Sequence, residues 1–156
     1  MQNFSYDRGT DRFIDIARML HQDSFILCGK SRNKWGDAVL RSIPSNVEIA
    51  GYLDPHDALC NIDVLLRLTR RDDPWGRDVI EALSMGVPVI ATGTWHGFVK
   101  NGINGYLVSP YSLATVVTKI QAMRDRPIEF NPTKLFGPNN ARRMEKIYEG
   151  LVCRQP

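Results

Sequence analysis

Two acidic residues flank the start of a predicted helix at a spacing that suits a phosphorylated, hydroxyl-rich ligand. Asp73 and Glu81 are separated by seven residues, which cover a loop and the first turns of that helix. If the helix begins near Gly76, the N–H groups and the positive dipole end at Trp75, Gly76 and Arg77 face the turn, where a diphosphate fits. Glu81 would then accept hydrogen bonds from a ribose, and Asp73 from a hexose. Gly76 would let the ligand approach the backbone closely.

Both acids also have a plain structural interpretation. Asp73 is a favourable N-cap residue, and Pro74 after it would occupy the first helical position, where proline is well tolerated. Glu81 can pair with Arg77 at i, i+4 on a solvated helix face. The spacing alone leaves these alternatives open.

Other polar side chains near this turn receive no catalytic role. Arg67, Arg70 and Arg71 form a basic cluster that could approach phosphates, but we expect a solvated loop there. A lone histidine in a loop, His96, is expected to be structural. Aromatic and basic residues are not interleaved as in nucleic-acid platforms, so we predict no nucleic-acid partner.

The elements that position these residues alternate between apolar strands and amphipathic helices. Nearly all-apolar strands predict a parallel sheet covered on both faces, hence a doubly wound, Rossmann-like α/β fold with its ligands beyond the carboxyl ends of the strands. We predict one domain over residues 1–156. The first strand is expected to be stubby or missing, because the first helix begins near residue 10. The predicted strands cover 24–28, 47–50, 62–66, 87–91 and 106–108. The predicted helices lie near 13–20, 35–39, 79–86, 113–123 and 144–151, and a further helix is predicted to start at Asp54-Pro55.

Composition narrows the class of protein. Hydrophobic residues make up 43% and charged residues 24% of the chain, as in ordinary globular proteins. The net charge of +3 permits contact with a phosphorylated ligand or an anionic membrane surface and argues for neither. No apolar run approaches the length of a membrane span. The three cysteines (Cys28, Cys60 and Cys153) lack metal-ligand spacing, so we expect reduced thiols and a cytoplasmic location.

The acidic turn resembles a family signature. Asp73-Pro-Trp-Gly-Arg-Asp-Val-Ile-Glu81-Ala-Leu-Ser-Met-Gly86-Val-Pro88-Val-Ile is similar to that of the retaining GT-B-fold glycosyltransferases of the group 1, or family 4, type. Their pattern is an acid, seven residues, Glu-Ala, and then a Gly-x-Pro-Val-Ile turn. The resemblance spans nearly the whole chain in the same order, and its other segments are 7–17, 27–30, 51–53 and 101–108.

The resemblance implies roles for single residues. Glu81 matches the acid on the donor ribose, and Asp73 matches the acid on the donor sugar, where the family usually has glutamate. Arg8 matches the basic residue, commonly lysine, that neutralises the leaving diphosphate, although it also reads as an exposed arginine at a helix start. The implied catalytic residues are Asp73 and Arg8, and the implied nucleotide-sugar-binding residues are Glu81, Trp75, Gly76, Arg77, Gly29, Gly51 and Tyr52.

The resemblance also implies a reaction and a partner domain. A hexosyl group would pass from a UDP-, GDP- or ADP-sugar to a glycan, lipid or protein with retention of configuration, with neither metal nor cofactor. We expect an N-terminal acceptor domain to be missing and the isolated chain to be inactive in transfer. A lipid-linked acceptor would place the whole enzyme at the periphery of a membrane. Two alternatives remain open: half of a nucleotide-sugar 2-epimerase-like isomerase, and a non-catalytic nucleotide-binding module.

Overall fold

A computed structural model describes residues 3–70, 77–93 and 98–132 as alternating strands and helices. The strands are β1 (Asn3–Phe4), β2 (Phe25–Cys28), β3 (Lys30–Ser31), β4 (Val47–Gly51), β5 (Leu65–Arg67), β6 (Val89–Ala91) and β7 (Gly105–Leu107). The helices are α1 (Thr10–Met19), α2 (Lys34–Leu40), α3 (Pro55–Leu59), α4 (Arg77–Ser84) and α5 (Leu113–Asp125). The helix predicted near 144–151 lies outside the described residues.

Every strand pair is parallel, which confirms the predicted α/β class. β5, β6 and β7 form one three-stranded set, β2 pairs with β4, and β1 pairs with β3. Parallel neighbours require crossover connections. A helix lies in the connection from β2 to β4 and in that from β5 to β6, whereas none is described between β6 and β7.

Helices pack on both faces of the strands, because successive side chains of a strand point to opposite sides. On one face Leu66 and Ile90 pack with the apolar residues of α1 and α5. On the other face Leu65 and Val89 pack with those of α3 and α4. This three-layer arrangement is the doubly wound architecture that the apolar strands predict.

Side-chain caps fix several helix starts. The carboxylate of Asp54 accepts a hydrogen bond from the backbone N–H of His56, and Pro55 follows at the first helical position, as the sequence predicts. Ser112 caps α5 in the same way by accepting from the N–H of Thr115. None of the helices in the described ranges is long and apolar enough to cross a bilayer.

Two features of the strands differ from the prediction. A short strand follows Gly29, where the sequence suggests only a loop, because Lys30–Ser31 pairs with the first strand. Among the described residues the strands also form three separate sets, where we expected one continuous sheet. The break lies between β2 and β5, next to a first strand that is as short as predicted, with two residues.

Candidate functional site

The turn that carries Arg8 is held in place by its own backbone. The N–H of Arg8 donates to the carbonyl of Ser5, and that of Gly9 to the carbonyl of Tyr6. Gly9, which immediately precedes α1, has a φ of 72°, a left-handed conformation that favours glycine. The side chain of Arg8 is exposed at this turn. A fixed backbone with an exposed guanidinium is suited to meet an anionic ligand.

A second arginine, Arg70, clamps the same turn. Its backbone N–H donates to the carbonyl of Asp7 at 2.9 Å, and its guanidinium donates to both carboxylate oxygens of Asp11 at 2.8 and 2.7 Å. The guanidinium also stacks 3.6 Å from the centre of the Tyr6 ring. The expectation of a solvated loop is therefore wrong at Arg70, because its charge is used within the fold.

The Asp11–Arg70 pair predicts a pH-dependent stability. Burial alone would raise the pKa of Asp11, but the hydrogen bonds and charge of Arg70 outweigh it and lower the pKa below 3.8. A lowered carboxyl pKa contributes stability that is present above the unfolded-state value of about 3.9 and is lost as pH falls through the folded-state pKa. We therefore expect Asp11→Asn to flatten the loss of unfolding free energy between about pH 5 and pH 2.

Chemical denaturation at several pH values checks this. Asp125→Asn, which removes a carboxylate that is 76% exposed, is the control and should keep the wild-type slope. Equal slopes for Asp11→Asn and the wild type would contradict the assignment.

The charge of Arg67 is also paired within the fold. Its side chain lies at the end of β5 and donates to the Asp78 carboxylate at 2.8 Å, with only 5% of the Arg67 side chain exposed. Because Asp78 lies in the first turn of α4, this ion pair ties the helix start to the sheet. The solvated-loop prediction is wrong for Arg67 as well, and Arg71 lies outside the described residues.

Glu81 lies one turn into α4. Its side chain is half-buried, whereas Arg77 is exposed. The two side chains form no ion pair with each other in the described part of the chain, so the structure does not support the i, i+4 alternative. Glu81 also lines the cavity described below.

The turns at the ends of β2 and β4 place the backbone of two glycines and one aromatic ring at the same edge of this pair of strands. The N–H of Gly29 donates to the carbonyl of Gly51, and both glycines have positive φ, of 132° and 68°. Tyr52, which follows, is 41% exposed. Lys30 lies 5.0 Å from the centre of its ring, and Arg32 donates to its hydroxyl. This edge thus offers an exposed ring among cationic groups.

One cavity of about 1060 Å³ connects these positions. It is lined by five of the residues that the sequence assigns to the site, namely Arg8, Gly29, Gly51, Tyr52 and Glu81. Arg77 lies at the start of the same helix as Glu81. The remaining three assigned residues, Asp73, Trp75 and Gly76, lie outside the described residues. The structure therefore brings Arg8 and Glu81, 73 positions apart in the sequence, to a single cavity.

Sequence reasoning missed two residues of this region. Gly9 and Arg70 hold the Arg8 turn, yet neither was assigned to the site. The signal for Gly9 was its place directly after a basic residue and before a helix start. The contacts of Arg70 span 59 to 64 positions, which a local pattern cannot reveal.

The sequence was compared with models of known families and with known proteins. The family model of glycosyl transferases group 1 matches residues 2–125. An uncharacterized 42.6 kDa protein in the cps region of Klebsiella pneumoniae is 28% identical over 86 residues, which cover 55% of this chain and 23% of that protein.

Solved structures share the fold. The crystal structure of Anabaena Alr3699/HepE in complex with UDP and glucose has a TM-score of 0.68 and 20% identity, covering 81% of this chain and 38% of that one. The C-terminal domain of the group 1 glycosyl transferase LpcC from Francisella tularensis has a TM-score of 0.66 and 18% identity, covering 79% of this chain and 72% of that one. The chain thus spans well under half the length of the Klebsiella and Anabaena proteins. With a family model that matches most of its length, this chain belongs to the group 1 glycosyl transferases.

Proposed function

We propose that this chain binds the nucleoside diphosphate of a sugar donor and forms the donor half of a glycosyltransferase that transfers a hexosyl group with retention. The observation that carries the proposal is the meeting of Arg8 and Glu81 at one cavity. Arg8 follows the carboxyl end of β1, and Glu81 lies in the helix that follows β5. Ligands of open α/β sheets bind at this edge. The Anabaena relative, solved with UDP and glucose, supports a uridine nucleotide as the first ligand to test.

The roles follow from charge and position. Arg8 is exposed on a fixed turn, so its guanidinium can stabilise the negative charge that develops on the leaving diphosphate. Glu81 accepts hydrogen bonds from the ribose hydroxyls, and the exposed ring of Tyr52 lies against the base. Asp73 is assigned to the hydroxyls of the hexose, and the helix start at Trp75, Gly76 and Arg77 to the phosphates.

The acceptor site belongs, in this proposal, to an N-terminal domain of the whole enzyme. The Francisella structure, a C-terminal domain, covers a similar stretch and supports this division. The acceptor is a glycan, lipid or protein, and a lipid-linked acceptor would place the enzyme at a membrane surface. We also propose a cytoplasmic location, which the free thiols of Cys28 and Cys60 fit. The purified chain should bind nucleotide without transferring sugar.

Glu81→Gln should weaken binding of a nucleoside diphosphate by about 1.5 to 3 kcal/mol, the scale of a charge-assisted hydrogen bond. Its effect on stability should be small, because the Glu81 side chain makes no ion pair among the described residues. Titration calorimetry with UDP, GDP and ADP measures the affinity. Glu48→Gln, which removes an exposed carboxylate outside the cavity, is the matched control and should be silent.

Asp73→Asn separates sugar recognition from helix capping. It should leave the affinity for the bare diphosphate unchanged and weaken the nucleotide sugar, because Asp73 is assigned to the hexose. Asparagine is itself a good N-cap, so a residue that only caps the helix would tolerate the change in every assay. The site would be refuted if Glu81→Gln and Asp73→Asn both left the affinities for the diphosphate and the nucleotide sugar unchanged. It would also be refuted if no nucleotide gave heat on binding at millimolar concentration.

A further inference from the structure

The position of the Arg8 side chain depends on its backbone turn, because this side chain is exposed and lines the cavity. The turn is closed from within by Ser5, whose carbonyl accepts from the N–H groups of Arg8 and Thr10 at 3.2 and 3.4 Å. These contacts join residues of the turn to one another. They fix its shape, whereas its place relative to the sheet depends on contacts with other segments.

Arg70 supplies such contacts from the segment that follows β5. Its backbone N–H donates to the carbonyl of Asp7, and its guanidinium donates to the carbonyl of Tyr6. The same guanidinium donates to both carboxylate oxygens of Asp11, in the first turn of α1. Tyr6 and Asp7 directly precede Arg8, and Asp11 follows it. Arg70 therefore holds the chain on both sides of Arg8.

These contacts require the shape of a guanidinium. The two hydrogen bonds to Asp11, of 2.8 and 2.7 Å, form a fork, while the face of the same planar group lies 3.6 Å from the centre of the Tyr6 ring. The ammonium group of a lysine carries the same charge but is a compact point charge that lacks this fork and this flat face. Lysine at this position would therefore keep the charge and lose the geometry.

Arg70 is not placed to bind the ligand itself. Only 19% of its side chain is exposed, it is paired with Asp11 at 2.7 Å, and it is not among the residues that line the cavity. Arg8 has the opposite surroundings, because it is exposed and lines the cavity. The two arginines of this turn are thus separated into one that faces the cavity and one that is enclosed by the chain.

The first helix has an attachment of its own. Arg12 donates to the carbonyls of Leu68 and Thr69 at 3.2 and 3.4 Å, which ties α1 to the end of β5 independently of Arg70. Loss of the Arg70 contacts should therefore displace the turn and leave the helix in place.

We propose that Arg70 is a positioning residue for the diphosphate: it holds the Arg8 turn so that the Arg8 guanidinium meets the second phosphate of the nucleotide. This inference rests on the proposed function, in which Arg8 contacts the diphosphate. Arg70 acts only through Arg8, so its contribution is present with a nucleoside diphosphate and nearly absent with the monophosphate.

The test titrates the full chain by calorimetry with the diphosphate that it binds best among UDP, GDP and ADP, and with the matching monophosphate. We expect Arg8→Gln to weaken the diphosphate by about tenfold or more, the scale of a charge-assisted contact, and the monophosphate by less than about threefold. Arg70→Lys should show the same pattern. The double variant should bind no more weakly than Arg8→Gln alone, because the two changes remove one contact.

Two further variants keep the test interpretable. Arg18→Lys is the matched control, because Arg18 pairs with Asp15 at 2.9 Å and donates to the carbonyl of Ser42 at 2.8 Å, away from the turn. It should leave both affinities unchanged. Tyr6→Leu removes only the ring that stacks on Arg70, at a position that is 56% exposed, so the fold should be retained even if Arg70→Lys unfolds. It should weaken the diphosphate by about twofold or more and leave the monophosphate unchanged.

Three results would overturn the inference. Wild-type affinity for the diphosphate in Arg70→Lys, or in Tyr6→Leu if Arg70→Lys does not fold, would show that the clamp does not position Arg8. An equal loss for diphosphate and monophosphate would indicate a general change of the fold. A double variant weaker than Arg8→Gln by the full factor of Arg70→Lys would show that Arg70 acts independently of Arg8. If the wild-type chain binds none of the nucleotides, the proposed function itself fails, so the two failures are distinguishable.

Discussion

Gly9→Ala is expected to lower the free energy of unfolding by about 2 to 5 kcal/mol. A Cβ atom on Gly9 would lie 2.1 Å from the carbonyl oxygen of Leu68, which is backbone and cannot rotate away. The φ of 72° adds the cost of a left-handed conformation, about 1 to 2 kcal/mol for an L-residue. Overpacking against fixed atoms contributes a further 1 to 3 kcal/mol or so. Urea denaturation followed by circular dichroism measures the sum.

Gly102→Ala is the matched control. Gly102 has nearly the same φ, 73°, but a Cβ there would meet nothing within 4 Å. The control therefore carries the conformational cost without the clash, and should lose only about 1 to 2 kcal/mol. Equal losses for both variants would show that the approach of Gly9 to Leu68 contributes nothing.

The Gly9 change should also affect ligand binding. Gly9 must move away from Leu68, so the turn that carries Arg8 moves with it. Under conditions where the variant remains folded, its affinity for a nucleoside diphosphate should fall, whereas Gly102→Ala should bind as the wild type does.

The fold was largely predictable from the sequence because burial on both faces leaves a local pattern. Strands such as Val89–Ala91 are continuous apolar runs, and the Asp54-Pro55 pair marks a helix start by its own chemistry. The break between β2 and β5 was not predictable beyond a stubby first strand. It depends on which strands become neighbours, and no single segment contains that information.

The predictions for the candidate site also depended on whether the signal was local in the sequence. Arg8 and Glu81 were recognised because their motifs are local, and the structure places both at one cavity. The burial of Arg67 and Arg70 was predicted wrongly, because arginine is usually exposed and their partners are distant in sequence. Arg67 meets Asp78 after 11 positions, and Arg70 meets Asp11 after 59. Charge clusters in a loop sequence are thus poor guides to which charges remain free for a ligand.

Arg67→Met is expected to lower the free energy of unfolding by about 3 to 5 kcal/mol, because it leaves the carboxylate of Asp78 without its buried partner. Asp78 lies in the first turn of α4, so the loss should also loosen the helix that carries Glu81. The affinity for a nucleoside diphosphate should fall in the same variant, measured where it remains folded. Denaturation and calorimetry give the two quantities independently.

A double variant distinguishes a lost ion pair from lost packing. Asp78→Leu combined with Arg67→Met removes both charges, so no buried carboxylate is left behind, and the double variant should recover at least 1 kcal/mol or so relative to Arg67→Met alone. Arg18→Met provides the control, because its pair with Asp15 is about half exposed and should contribute less than about 1 kcal/mol. If Arg67→Met loses no more than Arg18→Met, the pair is not a buried anchor of α4. If the double variant is as unstable as the sum of the single changes, the loss comes from packing of the long arginine stem, and the charges are not coupled.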